Sequence, residues 1–378
     1  MGLKAIILAG GFGTRLRPLS CTRPKLLFPI VNKPILDLTL QRLAENGIKE
    51  VILAVSFMAD AFERTFGTSK YGMKIRYSLD MTARPRTQTK YPSQEYLGTA
   101  GPVRQAEKLL GKTEPFLVLN GDILTNANYA QIMKAHKNFS GLATIALHKV
   151  EDPSRYGVVK LSQGNRIAEF VEKPIKWTES KLVNAGIYVL EPDVFDLIPK
   201  GKRRSLEREI FPILATKHKL YGHEITGLWI DIGKPVDYVK ANKLWLEAEM
   251  ERSLRPFKTR IGSTTKIAKT VAIGEDVTIE EGSIIGPNVS LGNRVSVGTK
   301  VRIRNSIVFP TAVISDLSVV EGSIIGEAAT IGKRVSIKEG CLIGDNTTIE
   351  DNITLAKNVK ICHSRRIVES ISESGCVI

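Results

Sequence analysis

The sequence of 378 residues lacks several features that would place it in a special class. No stretch approaches the roughly 18 unbroken apolar residues of a membrane-spanning helix, and the apolar run near the start is too short for a signal peptide. The four cysteines are scattered, without the C-x-x-C pairs of a zinc site or the density of a disulfide scaffold. We therefore expect a cytoplasmic protein with reduced thiols and no membrane partner.

Aromatic residues are also sparse, at 6%, and they do not interleave with the basic clusters. The net charge of +15 favours polyanions, but it does not choose among nucleic acid, a membrane surface and phosphorylated small molecules. A single-strand binding surface needs aromatic stacking platforms beside its cations. We therefore expect no nucleic-acid partner.

The length and the hydrophobic pattern together indicate two domains. Residues 1–245 alternate short apolar runs with amphipathic stretches, which is the pattern of βαβ units in a largely parallel sheet. The predicted strands are 4–8, 50–55, 74–78, 116–119, 143–148 and 186–190. Between the first two, residues 34–46 carry a helical stripe that Gly47 ends. Helical spacing over 237–252 stops before Pro256, so we place a linker at 246–264.

After about residue 265 the period changes, because aliphatic side chains recur at every sixth position. The series is Val289, Val295, Val301, Ile307, Val313, Val319, Ile325, Ile331, Ile337, Ile343, Ile349, Leu355 and Ile361. A six-residue period is the signature of a β-helix whose coil has three flat faces. Residues 265–378 are therefore predicted to form a parallel β-helix. Because stacked coils need covered ends, we also expect a homo-oligomer.

A glycine-rich segment follows the first predicted strand, and two cations follow the glycines. Its residues are Leu8, Ala9, Gly10, Gly11, Gly13 and Thr14, and then Arg15 and Lys25. Backbone N–H groups in such a loop bind anions, and a ligand is expected at the carboxyl end of a strand in an open α/β sheet. A bidentate guanidinium and an ammonium suit a nucleoside triphosphate. The segment fits neither the P-loop nor the G-x-G-x-x-G pattern, and a simple tight turn is the alternative interpretation.

Residues 10–19 with Pro24 and Lys25 resemble the signature of the sugar-1-phosphate nucleotidyltransferases. Six later segments continue the resemblance: 95–102, which looks like the family's base-recognition segment, and 119–122, 156–159, 172–174, 184–188 and 229–233. The family has a Rossmann-like, mostly parallel sheet. Related hexapeptide-repeat proteins imply a left-handed β-helix. Arg15 and Lys25 would be catalytic, and residues 8–14 with Gly98 would bind the nucleotide. The resemblance assigns the sugar phosphate to Gly157, Glu172, Lys173 and Asn184, and Mg²⁺ to Asp122 and Asp231.

The implied chemistry follows from charge. A phosphate oxygen of a sugar 1-phosphate attacks the α-phosphorus of a nucleoside triphosphate in line and releases pyrophosphate. Because that nucleophile is already anionic, no Ser-His or Cys-His pair is needed, and positioning with charge neutralisation is sufficient. The five histidines therefore need no catalytic role.

Within the family, the resemblance is closest to the mannose-1-phosphate guanylyltransferases, which predicts GTP and mannose 1-phosphate as substrates. It is carried by residues 32–35, 52–58, 97–102 and 207–212 and by the tail from residue 361 onward. An apparent insertion at 81–93 and Tyr96 depart from that pattern. The alternatives are uridylyl or thymidylyl transfer to glucose or N-acetylglucosamine 1-phosphate, and a non-catalytic subunit that senses a sugar nucleotide. The β-helix could be structural or regulatory, or an acetyltransferase, although His363 is its only histidine.

Overall fold

The computed structural model describes residues 3–56, 58–79, 97–111, 114–174, 180–248 and 258–377. The chain divides into two compact units, Met1–Gly11 with Leu36–Ile230, and Phe12–Ile35 with Asp231–Ile378. The insertion at 81–93 and part of the linker at 246–264 lie outside the described residues, so the domain boundaries stay a prediction. Within the described ranges, none of the helices has the length and hydropathy to cross a membrane.

The first unit is organised around a ten-stranded sheet. In chain order, the elements before residue 249 are β1 (Lys4–Leu8), β2 (Pro29–Ile30), β3 (Lys33–Pro34), α1 (Ile35–Glu45), β4 (Glu50–Val55), α2 (Ala59–Phe66), β5 (Ser69–Lys70), β6 (Met73–Leu79), α3 (Ala100–Gln105), α4 (Glu107–Leu110), β7 (Phe116–Asn120), β8 (Ile123–Thr125), α5 (Tyr129–Lys137), β9 (Ala143–Lys149), β10 (Gly157–Leu161), β11 (Ile167–Glu172), β12 (Leu182–Leu190), α6 (Phe211–Thr216), β13 (Leu220–Glu224), β14 (Trp229–Asp231) and α7 (Pro235–Ala248).

The strand order of the large sheet is β11-β10-β12-β7-β1-β4-β6-β5, with β9 beside both β12 and β13. Strand β1 is parallel to β4 and β7, and β4 is parallel to β6. Ile6 and Ile7 of β1 are fully buried, as expected for a central parallel strand that is covered on both faces. Strand β12 is antiparallel to β7. The predicted Rossmann-like, mostly parallel sheet is therefore confirmed.

Strand β12 begins four residues before the predicted start at Gly186. The cause is an irregularity in its pairing with β9, between Asn184 and Tyr188, where Gly186 adopts a φ of +71°. A glycine inside a strand marks a bulge of this kind as readily as it marks a strand end. The same irregularity sets the position of Asn184, a predicted sugar ligand.

One buried and two half-buried histidines in the first unit predict a loss of stability in mild acid. The ring of His136 contacts Thr144 Oγ1 at 2.8 Å and Glu191 Oε1 at 3.0 Å. Burial lowers the pKa of His136, against the opposing effect of Glu191, and burial also lowers the pKa values of His148 and His223. The unfolded chain therefore binds more protons below about pH 6.5, and the free energy of unfolding should fall as the pH drops from about 7 to about 5.5. Thermal unfolding across this range measures the effect.

Substitution His136→Gln keeps hydrogen-bonding capacity and should reduce the slope of the melting temperature against pH. The matched control is His218→Gln, because His218 is exposed and lies outside the sheet. A melting temperature independent of pH in this range would contradict the prediction.

The second unit contains three parallel sheets formed by short strands that follow one another around a coil. The first sheet contains β15 (Arg260–Ile261), β18 (Thr278–Ile279), β21 (Ser296–Val297), β24 (Val313–Ile314), β27 (Thr330–Ile331), β30 (Thr348–Ile349) and β33 (Arg366–Ile367). The second contains β16 (Lys266–Ile267), β19 (Ile284–Ile285), β22 (Arg302–Arg304), β25 (Val319–Glu321), β28 (Ser336–Ile337) and β31 (Thr354–Leu355). The third contains β17 (Val271–Ile273), β20 (Val289–Leu291), β23 (Ile307–Val308), β26 (Ile324–Ile325), β29 (Leu342–Ile343), β32 (Lys360–Ile361) and β34 (Cys376–Val377). This is the predicted left-handed β-helix.

The interior of the β-helix does not follow one uninterrupted step of six. The interior residues step by five from Ile303 to Val308 and again from Val320 to Ile325. Consequently the predicted members Val313 and Val319 point outward and are 37% and 36% exposed. The predicted six-residue period did not reveal the two five-residue steps, because aliphatic residues also occupy outward positions. The sequence alone does not distinguish those positions from interior ones.

One face of the β-helix is covered within the second unit. On the third sheet Ile307, Ile324 and Leu342 alternate with interior residues, and yet they are at most 2% exposed. The covering elements include the segment Phe12–Ile35, in which Asn32 Nδ2 donates to Leu291 O at 2.9 Å. The ring of Phe28 packs edge-on against Phe309, with 5.8 Å between centroids. The segment that carries Arg15 and Lys25 is thus packed on the β-helix.

Candidate active site

The first glycines of the predicted nucleotide loop lie at the carboxyl end of β1. The backbone of Ala9 continues the sheet, with its N–H donating to Ala54 O at 2.8 Å. Ser56 Oγ donates to Gly10 O at 2.7 Å and so fixes the turn where the strand ends. Leu8, Ala9, Gly10 and Gly11 therefore occupy the sheet edge at which open α/β sheets bind ligands.

The remaining residues of the loop belong to the second unit. Gly13 adopts a φ of +60°, and its carbonyl accepts a hydrogen bond from Ser20 Oγ at 2.7 Å. Thr14 and Arg15 follow in a short 3₁₀ turn, and both are exposed. A second such turn spans Leu19–Cys21, and a third begins at Lys25. The sequence from Gly13 to Lys25 is therefore a compact series of turns rather than an open loop.

Both predicted catalytic cations contact the backbone that follows Asp231. Lys25 Nζ donates to Ile232 O at 3.1 Å. The guanidinium of Arg15 lies so close to Gly233 that a Cβ there would be 3.3 Å from Nη2. Strand β14 ends at Asp231, immediately before these two residues. The second unit thus brings two cations to the backbone directly after the predicted metal carboxylate Asp231, more than 200 positions away in the sequence.

The other predicted metal ligand, Asp122, lies in the turn between β7 and β8 of the first unit. The N–H of Gly121 donates to Leu8 O at 3.1 Å, so this turn meets the same sheet edge as the start of the nucleotide loop. Nearby, the buried Asn120 Oδ1 accepts no hydrogen bond from the described groups. Carboxylate and amide oxygens are the hard ligands that Mg²⁺ prefers, so this turn fits a magnesium ion.

No group of three or more Asp, Glu, His or Cys side chains suited to a metal ion occurs among the described residues. The described part of the structure therefore adds no ligand to the two predicted carboxylates.

Gly98 lies against the backbone of Arg204. The N–H of Ala100 donates to Arg204 O at 3.0 Å, and Arg204 N–H donates to Leu97 O at 3.0 Å. Gly98 adopts a φ of +75°, and a Cβ there would be 2.2 Å from Arg204 O. No side chain fits at this position without moving backbone. Residues 95 and 96 of the predicted base-recognition segment lie outside the described residues.

Two of the predicted sugar-phosphate residues lie on the β10–β11 pair, and Lys173 directly follows β11. Gly157 is directly opposite Glu172, and a Cβ on this glycine would be 2.8 Å from Glu172 Oε2. Lys173 adopts a φ of +48°, its N–H donates to Tyr156 O at 3.0 Å, and its ammonium lies 3.5 Å from Glu172 Oε1. Burial raises the pKa of Glu172, and the Lys173 charge opposes that effect. The pair therefore offers one exposed cation beside a carboxylate.

The fourth predicted sugar residue, Asn184, is buried and held from two sides. Its Oδ1 accepts from Gly186 N–H at 2.8 Å, and its Nδ2 donates to the Tyr188 hydroxyl at 2.9 Å. Each amide atom keeps capacity for one further hydrogen bond. The structure therefore fixes the orientation of the amide and leaves a donor and an acceptor for a ligand.

Sequence reasoning missed the buried carboxylate that joins these segments, Glu207. It accepts hydrogen bonds from Thr99 Oγ1 at 2.5 Å, from Ser205 Oγ at 2.8 Å and from the Tyr188 hydroxyl at 3.2 Å. Through Thr99 it reaches the base-recognition segment, and through Tyr188 it reaches Asn184. The only signal was the motif at 207–212, which marked a resemblance but no contact.

Comparisons with known proteins identify the family. Residues 4–248 match the family model described as Nucleotidyl transferase, and residues 258–377 match the GMPPB C-terminal domain. The chain belongs to the nucleotidyl transferase family.

Two curated relatives cover 65% of this chain. A mannose-1-phosphate guanyltransferase of Yarrowia lipolytica is 40% identical over 250 residues. The mannose-1-phosphate guanylyltransferase catalytic subunit beta of Drosophila melanogaster is 39% identical over the same length. The chain spans 65% and 64% of the lengths of these two relatives. A rice protein named probable mannose-1-phosphate guanylyltransferase 3 is 40% identical over 263 residues, 68% of each chain.

Two solved structures also resemble the chain. HddC from Yersinia pseudotuberculosis aligns with a TM-score of 0.53 and 26% identity, over 65% of this chain and all of that one. A Bacillus anthracis protein described as a glucose-1-phosphate thymidylyltransferase aligns with a TM-score of 0.55 and 25% identity, over 64% of this chain and 94% of that one.

Proposed function

We propose that this chain transfers the guanylyl group of GTP to mannose 1-phosphate, giving GDP-mannose and pyrophosphate. The observation that carries the proposal is the position of Arg15 and Lys25 against the backbone after Asp231. Two cations on the backbone that follows a predicted metal carboxylate suit a triphosphate whose negative charge must be neutralised while it is held in place. The names of the relatives support guanine as the base and mannose as the sugar.

In the proposed mechanism, Lys173 holds the phosphate of the sugar 1-phosphate, and Glu172 with Asn184 binds the sugar hydroxyls. The nucleotide rests on the backbone of residues 8–14 and beside Gly98. Arg15 and Lys25 neutralise the α-phosphate and the leaving pyrophosphate. The sugar-phosphate oxygen attacks while already ionised, so the protein holds no proton for this step.

Magnesium is the proposed cofactor, with Asp122 and Asp231 as its protein ligands. Bound Mg²⁺ would supply charge neutralisation on the phosphate oxygens. We further propose that the enzyme is cytoplasmic and homo-oligomeric, with no nucleic-acid or membrane partner. The boundary of the catalytic domain near residue 245 and of the β-helix near residue 265 belongs to the same proposal.

Pyrophosphate release by the purified protein with Mg²⁺ tests the substrates. The grid pairs GTP, UTP, dTTP, ATP and CTP with mannose, glucose, N-acetylglucosamine and galactose 1-phosphates. We expect kcat/KM for GTP with mannose 1-phosphate to exceed that of every other pair by at least about tenfold. A site that hydrogen-bonds one base has unpaired polar groups when a different base is bound.

If kcat/KM is highest for another pair, the proposed substrates are wrong and nucleotidyl transfer itself is retained. Uridylyl or thymidylyl transfer to glucose 1-phosphate is the first alternative, since the Bacillus anthracis structure carries that description. Tight binding of a nucleotide sugar without turnover on any pair would favour a sensing subunit instead.

A further inference from the structure

A carboxylate of the β-helix holds the segment that carries Lys25. Asp345 Oδ2 accepts from Arg23 Nη2 at 2.7 Å and from Thr22 Oγ1 at 2.5 Å. Glu327 Oε2 accepts from the same guanidinium nitrogen at 2.5 Å. The guanidinium also lies over the ring of Phe309, 5.1 Å from its centroid. All five residues belong to the second unit.

The Arg23–Asp345 pair of this anchor is largely buried, so its two charges act strongly on each other. The side chains of Asp345 and Arg23 are 5% and 18% exposed. Burial lowers the pKa of the Arg23 guanidinium, but Asp345 and Glu327 raise it by more, and the group stays protonated. Removing one partner of a buried pair leaves the other charge uncompensated. The anchor is therefore expected to hold Arg23 in one position.

Arg23 lies only two residues before Lys25. Pro24 between them has a ring that fixes φ, here at −58°, so the backbone has little freedom to absorb a displacement. Beyond it, Lys25 begins a 3₁₀ turn and its Nζ contacts Ile232 O at 3.1 Å. A displacement of Arg23 would therefore move the Lys25 ammonium.

We propose that Asp345, assisted by Glu327, is a positioning residue that holds Lys25 in its reactive place through Arg23. The β-helix is thereby a required part of the catalytic apparatus rather than an independent domain. The kinetic consequences of this inference rest on the proposed function, whereas the structural anchor does not depend on it.

The β-helix offers a way to remove the charge without disturbing the fold. Asp345 Oδ1 also accepts from Glu327 N–H at 2.7 Å, a hydrogen bond that closes a corner of the coil. At an equivalent corner Asn293 Oδ1 accepts from Glu275 N–H at 3.0 Å. An asparagine amide therefore closes such a corner, and Asp345→Asn should keep the coil while losing the negative charge.

The kinetic test compares Asp345→Asn with Asp351→Asn. Asp351 Oδ1 closes the next corner, accepting from Lys333 N–H at 2.7 Å, and the residue is exposed. We expect Asp345→Asn to lower kcat at least about tenfold with both KM values within about twofold, and Asp351→Asn to match the unsubstituted protein. An unchanged kcat for Asp345→Asn would overturn the proposal.

A double substitution separates positioning from general damage. If Asp345 acts through Lys25, adding Asp345→Asn to Lys25→Ala should cost no further activity, whereas independent effects would multiply. Multiplied losses would overturn the proposal. Should Asp345→Asn not fold, Glu327→Gln decides, because the Glu327 side chain is 42% exposed and its loss is tolerable for folding. We expect about threefold lower kcat, and an unchanged kcat would overturn the proposal.

Chemical labelling makes the result independent of turnover. Limited acetylation followed by mass spectrometry compares the amine of Lys25 with that of Lys266, an exposed lysine of the β-helix. We expect Asp345→Asn to increase labelling of Lys25 several-fold and to leave Lys266 unchanged. If Lys25 is labelled equally in Asp345→Asn and in the unsubstituted protein, the anchor is overturned even when the enzyme is active. Increased labelling in a chain without transferase activity would support the anchor and reject the proposed function.

Discussion

Substitution Lys25→Ala should lower kcat/KM about 100-fold to 1000-fold, which corresponds to roughly 2.7 to 4 kcal/mol of lost transition-state stabilisation. The ammonium is fixed by Ile232 O at 3.1 Å, so it is already in place when negative charge moves onto the pyrophosphate. Steady-state rates of pyrophosphate release measure the loss.

The matched control for this substitution is Lys266→Ala. It removes the same charge from an exposed position in β16 of the same unit and should leave kcat/KM within about twofold. Comparable melting temperatures for the two variants would exclude unfolding as the cause. Full activity of Lys25→Ala would remove this residue from the mechanism.

Substitution Gly98→Ala should lower kcat/KM for the nucleotide about 100-fold, mainly by raising its KM. The added Cβ would lie 2.2 Å from Arg204 O, which is backbone and cannot rotate away. Relieving this collision would require breaking the hydrogen bond from Ala100 N–H to Arg204 O. It would also displace Thr99 from Glu207. A displacement of about 1 Å in a binding segment is enough for a loss of this size.

Gly111→Ala is the control, because Gly111 also has a positive φ, +81°, but has nothing within 4 Å of the added Cβ. This substitution introduces backbone strain without the collision. Its free energy of unfolding should therefore fall by about 1 kcal/mol, while kcat and KM are retained. A Gly98→Ala variant with the nucleotide KM of the unsubstituted protein would contradict the assignment of this segment to base recognition.

Much of the fold could be predicted from the sequence because periodicity reports burial directly. Strands β1 and β4 have the predicted bounds, since short apolar runs between amphipathic helices leave few alternatives. The β-helix was equally clear as a class. Which aliphatic residues face its interior could not be predicted, because Val313 and Val319 are aliphatic but exposed. The two five-residue steps do not change the amino-acid composition, so the sequence does not show them.

The candidate site was predictable only as a set of segments. Short motifs identified Arg15, Lys25 and Asp231, but nothing in them states that the two cations meet the backbone after Asp231. Contacts across long sequence separations depend on tertiary packing. The same limit hid Glu207 and Asp345, whose roles come from partners about 100 and 320 positions away.

The assignment of the β-helix also changes with the structure. Its only histidine, His363, gave an acetyltransferase little support, and assembly or regulation was the main expectation. The proposed anchor at Arg23 adds a direct connection between this domain and catalysis. Loss of part of the β-helix should therefore affect turnover and not only assembly.

The most direct measurement follows an oxygen isotope through the reaction. Mannose 1-phosphate labelled with ¹⁸O in the non-bridging phosphate oxygens is incubated with GTP, Mg²⁺ and the enzyme, and the products are analysed by ³¹P NMR and mass spectrometry. Attack of the sugar phosphate on the α-phosphorus predicts ¹⁸O between the two phosphorus atoms of GDP-mannose and unlabelled pyrophosphate. Label in the pyrophosphate, or GTP hydrolysed without GDP-mannose, would contradict nucleotidyl transfer.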